Sequence, residues 1–110
     1  MRALALVCGI LIAPSAWAAN YALCLLDTVP GAHSEAMHDA AVAACTQRFP
    51  AQFSDIEQGA GRSLLGVSSG AQCVTQHAPG TDWPASASLI TRACGCLYDL
   101  PVQGGERCDR

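Results

Sequence analysis

The chain has 110 residues, six arginines, no lysine and nine carboxylates, giving a formal net charge of −3 with histidines neutral. Such a length gives one domain. With no basic stripe to neutralise phosphates and few, scattered aromatics, nucleic-acid binding is excluded. The same sign of charge disfavours anionic membrane surfaces, so a neutral or basic partner fits better.

Met1-Arg2 supplies a positive charge, residues 3–13 form an unbroken apolar run, and Pro14-Ser15 breaks it. Ala16-Trp17-Ala18 then places small residues at both positions that a signal peptidase reads. This is the pattern of a secretory signal peptide, with cleavage expected after Ala18 and Ala19 the next site. The run falls short of the ~20 apolar residues that span a bilayer, so no stable membrane insertion is expected once it is removed. Cys8 lies inside the run behind Val7 and leaves with it. The expected organisation is a signal peptide over 1–18 and a single disulfide-rich domain over 19–110. In those 92 residues five arginines face nine carboxylates, a formal charge of −4.

Asn20 is placed to cap a short helix over 21–27, which Val29-Pro30-Gly31 stops because proline cannot continue the ladder. Ser34 suits the N-cap of a longer helix over 35–49. Met37, Ala41, Cys45 and Phe49 recur at i+4 there, with Ala40 and Ala44 beside them, and predict a small, apolar inward face. Glu35 and Asp39 near its start and Arg48 near its end suit the macrodipole. Residues 52–58 read as a turn or two of helix with Phe53 and Ile56 inward. From Gly59 to Gly80 the chain is rich in glycine and serine without helical period. Residues 63–67 and 73–76 there read as short strands around Ser68-Ser69-Gly70. Thr81 or Asp82 with Pro84 opens a last helix reaching about Tyr98, its core face Leu89, Ile90, Ala93, Cys94 and Leu97. Pro101 ends it. The expected fold is mostly α: a small disulfide-stapled helical bundle with an irregular Gly/Ser-rich loop or short hairpin in the middle.

Cys24, Cys45, Cys73, Cys94, Cys96 and Cys108 follow the signal peptide. An even number in a short exported chain reads as a disulfide framework, because so small a domain cannot bury enough surface to be stable on its core alone. Six cysteines allow 15 pairings, and discarding those that join Cys94 to Cys96 leaves twelve. The favoured set joins Cys24 to Cys45 and gives Cys73 and Cys108 to Cys94 and Cys96 in either order. No cofactor or metal is expected. The single close pair is C-x-C, whereas thiolate metal sites use C-x₂₋₄-C, and His33 and His38 are five apart, off a shared helical face.

Gly66-Val67-Ser68-Ser69-Gly70 matches G-x-S-x-G, with His77 and Asp82 following. In lipases that pentapeptide is an elbow on a large α/β sheet, and the acid precedes the histidine. This chain has no room for the sheet and the order is reversed, so the segment reads as a loop. His38-Asp39 on a helix resembles the His-Asp pair of secreted phospholipase A2, but the flanking cysteines and upstream glycine-rich loop of that family are not present. Cys94-Gly95-Cys96-Leu97 in an alanine-rich helix is similar to plant nonspecific lipid-transfer proteins. Those are four-helix disulfide bundles around an apolar tunnel, built on eight cysteines where this chain has six. Tyr21 to Asp27 with Pro30-Gly31, and Ala93-Cys94 with Leu97-Tyr98, resemble small exported proteobacterial proteins, a likeness that implies no function.

The function expected from these residues is that of a non-catalytic exported binding or accessory protein, periplasmic or secreted. It would act on another protein, for example as an inhibitor or envelope partner. Its expected contact surface is the 59–80 segment with Arg62, Ser68, Ser69 and His77, since loops on rigid supports carry function. Two alternatives stand beside it. One is a carrier of a small apolar ligand between alanine-faced helices, which requires an internal cavity of a few hundred Å³. The other is a small hydrolase using His38-Asp39 or Ser68, which requires a partner within hydrogen-bond reach.

Overall fold

A computed structural model describes residues 20–101 together with 107 and 108. The signal peptide read at 1–18 lies outside the described residues. Four α-helices and one 3₁₀ turn follow in order: α1 (Tyr21–Thr28), α2 (Glu35–Arg48), the 3₁₀ turn (Gln52–Asp55), α3 (Gly70–His77) and α4 (Pro84–Tyr98). The chain is a mostly helical, disulfide-stapled bundle.

The helix starts follow local chemistry. The Asn20 carboxamide oxygen accepts from the Leu23 N–H at 2.9 Å, and the Ser34 hydroxyl accepts from the Met37 N–H at 3.2 Å. Each satisfies a donor that the first helical turn leaves without a partner. Pro84 stands in the first turn of α4, where its missing N–H costs nothing. Gly31, at φ +87°, turns the chain after α1. Its N–H reaches the Thr81 hydroxyl, and the Ala32 carbonyl accepts from Asp82 and Trp83. The turn after α1 is thereby tied to the start of α4.

α1 is the central helix, packed on α2, α4 and the 3₁₀ turn, while α3 packs on α4. Tyr21, Ala22, Cys24, Leu25 and Leu26 of α1 are all buried. They meet Ile90, Ala93, Cys94 and Leu97 of α4 in one core, with Phe53 and Ile56 inward as their positions predict. Leu89 packs at the edge of this core. The Tyr21 and Phe53 rings meet edge to face at 5.0 Å, and the Arg92 guanidinium lies 4.3 Å from the Phe53 centroid.

Three disulfides close the structure: Cys24–Cys45 joins α1 to α2, Cys73–Cys94 joins α3 to α4, and Cys96–Cys108 ties the C-terminal segment to α4. Six of the sixteen buried core residues are cysteines. The sulfur bridges are therefore a large part of the interior itself.

Two expectations are corrected. The strands read at 63–67 and 73–76 are not formed, which removes the hairpin option; residues 73–76 lie inside α3. Ser69 caps that helix by accepting from the Gln72 N–H at 3.1 Å, and Cys73 then fixes it to α4. The inward face of α2 is also narrower than its periodicity implies. Cys45 alone is buried, Ala41 and Phe49 pack at the edge, and Met37, Ala40 and Ala44 are exposed. The reason is position: α2 covers one side of α1 and nothing in the described residues covers its outer side.

Candidate functional site

The end of α4 organises the 58–70 segment. Gly59 N–H donates to the Cys96 carbonyl and Gly61 N–H to the Leu97 carbonyl, both at 2.8 Å. The Gln58 carboxamide donates to the carbonyls of Gly95 and Asp99 at 2.6 and 3.0 Å. Gly61 must be a glycine, because a Cβ there would sit 2.9 Å from the Tyr98 ring and 3.0 Å from the Leu97 Cβ. These contacts fix the strand of chain that enters the loop.

The strand that leaves it is fixed to the same place. Arg62 Nη1 donates to the Ser68 carbonyl and, at 2.7 Å, to the Tyr98 carbonyl, joining both sides of the loop to the last turn of α4. The Asp99 carboxylate accepts from the Gly70 N–H at 2.8 Å, placing a negative charge at the start of α3. A Cβ at Gly70 would lie 2.8 Å from that carboxylate. Gln72 Oε1 accepts from the Ser68 N–H at 3.0 Å. Between the two anchored sides, residues 64 and 65 form a turn. Leu64 and Leu65 are 103% and 101% exposed, as bare as in a free peptide.

Asp99→Ala is expected to lower stability by about 1–2 kcal/mol, the cost of leaving a buried N–H without its acceptor. Gly70→Ala should cost a similar amount by pushing that carboxylate away. The two changes act on one contact, so the double variant should fall well short of their sum in urea denaturation.

Of the expected surface residues, Arg62, Ser68 and Ser69 come together at the start of α3. His77 does not, because α3 is a helix of eight residues and carries it roughly 12 Å away at 1.5 Å per residue. Asp99, Gln58, Gly61 and the Leu64-Leu65 pair belong to this site and were not singled out by the sequence. One signal was available: Ser69-Gly-Ala-Gln72 has the S-x-x-Q pattern of a capped helix start.

The hydrolase residues are apart. His38 Nδ1 hydrogen-bonds the Ser86 hydroxyl at 2.7 Å, but Ser86 is fully buried and its oxygen cannot meet a substrate. Asp39 is exposed beside it. Ser68 lies near Tyr98, some twelve residues along α4 from Ser86, which is roughly 18 Å of helix. His33 Nδ1 turns to the Gly31 carbonyl at 3.2 Å. Among the described residues no cluster of three or more His, Cys, Asp or Glu side chains could hold a metal ion. No helix among them is long and apolar enough to cross a membrane.

A surface cleft of about 430 Å³ opens between the start of α1, the end of α2 and the 3₁₀ turn. Tyr21, Arg48, Phe49, Gln52 and Asp55 are among its walls, and Gln52 holds a positive φ of 54° there. It is open to solvent and does not lie between alanine-faced helices. Compared with family models, curated proteins and solved structures, the chain matches none.

Proposed function

We propose that this is a non-catalytic exported binding protein, delivered to the periplasm or outside the cell by its signal peptide. It engages another protein through the loop held at the end of α4. The observation that supports this most is the anchoring of both sides of the loop to one helix end, with apolar side chains left bare between them. A surface ordered before it meets its partner loses little conformational freedom on binding. Its charge fits a protein rather than a nucleic acid or an anionic lipid. Residues 58–81 carry one formal charge, Arg62, and no carboxylate, and the Arg62 guanidinium is already engaged with two carbonyls.

Site-specific photo-crosslinking in the native envelope tests the reading. A photoreactive side chain in place of Ser68 should give one discrete adduct, while the same group in place of Gln47, exposed on α2, should give none. Equal labelling from both positions, or no adduct from Ser68, would count against a loop-directed partner.

A further inference from the structure

We propose that residues 63–66 form a substrate-like loop that enters the apolar primary pocket of an endopeptidase and is released only slowly. The inference rests on the protein-binding reading above and names its partner's class.

Three features of the loop lead there. First, two adjacent leucines stand fully exposed at its tip, flanked by Ser63 and Gly66, small residues that leave room for an enclosing cleft. Endopeptidases with hydrophobic primary pockets take such side chains singly, with the neighbouring backbone extended alongside. Opening the turn at Leu64-Leu65 to that form costs at most one weak backbone contact, between Gly66 and Ser63.

Second, both sides of the tip remain in place if the chain is cut there. The entering side is held by the Gly59 and Gly61 hydrogen bonds to α4. The leaving side is held by the Gly70–Asp99 contact and, covalently, by Cys73–Cys94. Arg62 spans the two. Hydrolysis of a tip peptide bond adds the water oxygen to the acyl carbon and a proton to the departing nitrogen. No disulfide crosses the cut, so the new carboxylate and amine are kept side by side by these hydrogen bonds and by the packing of α1 on α4, and loss of water can rejoin them. An ordinary substrate escapes at this step; here the anchors retain both ends.

Third, other occupants fit poorly. Two leucines present far less than the roughly 800 Å² per partner that a stable dimer buries. A lipid-surface loop draws on exposed lysines and arginines, and the one arginine here, exposed as it is, already spends its guanidinium on two carbonyls.

The test uses the oxidised chain from residue 19 onward against two probes with apolar primary pockets, chymotrypsin and subtilisin. Each is assayed on a chromogenic peptide. The proposal expects competitive inhibition of at least one probe, with slow cleavage mapped after Leu64 or Leu65 and the cut protein still inhibitory. The Leu64→Ser/Leu65→Ser variant should weaken inhibition at least 100-fold, while His77→Ala leaves it unchanged. Arg62→Ala should raise the cleavage rate at least 10-fold, turning the inhibitor towards a substrate. Absence of inhibition of both probes, cleavage as fast as that of the reduced chain, or equal inhibition by the leucine variant would overturn it. Leucine-dependent flotation with phosphatidylcholine vesicles, or a leucine-dependent dimer in sedimentation, would overturn it in favour of lipid or self-association. Should both peptidase arms fail while the adduct at position 68 persists, the partner's class falls and the binding reading stands.

Discussion

Replacing Cys73 and Cys94 together by alanine is expected to lower stability by about 3 kcal/mol, the value for a bridge closing a loop of some twenty residues. The sequence separation is 21, and both sulfurs are fully buried between α3 and α4. The loss should be local in its consequences. α3 has eight residues, below the ~12–15 at which an isolated helix becomes even marginal in water, so it depends on this bond and on packing against α4. Hydrogen exchange should show the α3 amides losing most of their protection while those of α1 keep theirs. The urea midpoint should fall at the same time. An unchanged midpoint would mean that contacts with α4, and not the bridge, hold α3 in place.

Leu25→Ala should cost about 3 kcal/mol, within the range for large-to-small changes in a closed core. Leu25 is fully buried on α1, the helix that touches α2, α4 and the 3₁₀ turn. A cavity there loosens contacts on several sides at once. Met37→Ala offers the contrast: Met37 is 43% exposed on α2, and its truncation should cost no more than about 0.5 kcal/mol. Against a total of ~5–15 kcal/mol the first change is severe and the second barely visible. Equal costs in chemical denaturation would place the core elsewhere.

Much of the fold was readable because its signals are local. Asn20 and Ser34 cap helices through donors three residues away, and Pro84 marks the start of α4. The Cys24–Cys45 pairing follows from two helices joined by a short turn, and the chain resolves the open choice by joining Cys94 to Cys73 and Cys96 to Cys108. What was not readable depends on partners distant in sequence. The 70–77 segment is only eight residues long, and Val74 and Thr75 are β-branched, so its local bias is towards strand. Ser69 and the bridge to α4 decide otherwise. On α2 the i+4 pattern located an apolar stripe without saying how much of it a neighbour would cover.

The site divides in the same way. Arg62, Ser68 and Ser69 are close in sequence and stay close in space. Asp99 meets Gly70 across 29 residues and Gln58 meets Gly95 across 37, and no periodicity reports such contacts. In the strand read at 63–67, Leu64 and Leu65 fall on opposite faces, so one of the two would be expected inward. Their exposure follows from the anchoring of both sides to the end of α4, which leaves the tip no surface to bury against.

Far-ultraviolet circular dichroism of the chain from residue 19 onward, oxidised and then fully reduced and alkylated, tests most directly whether sulfur bridges stand in for a larger core. The oxidised protein should show strong helical bands and a cooperative melt, and the reduced protein at 25 °C should have lost most of that signal and the transition with it. A reduced chain that kept both would contradict the account, because the helices would then be held by packing alone.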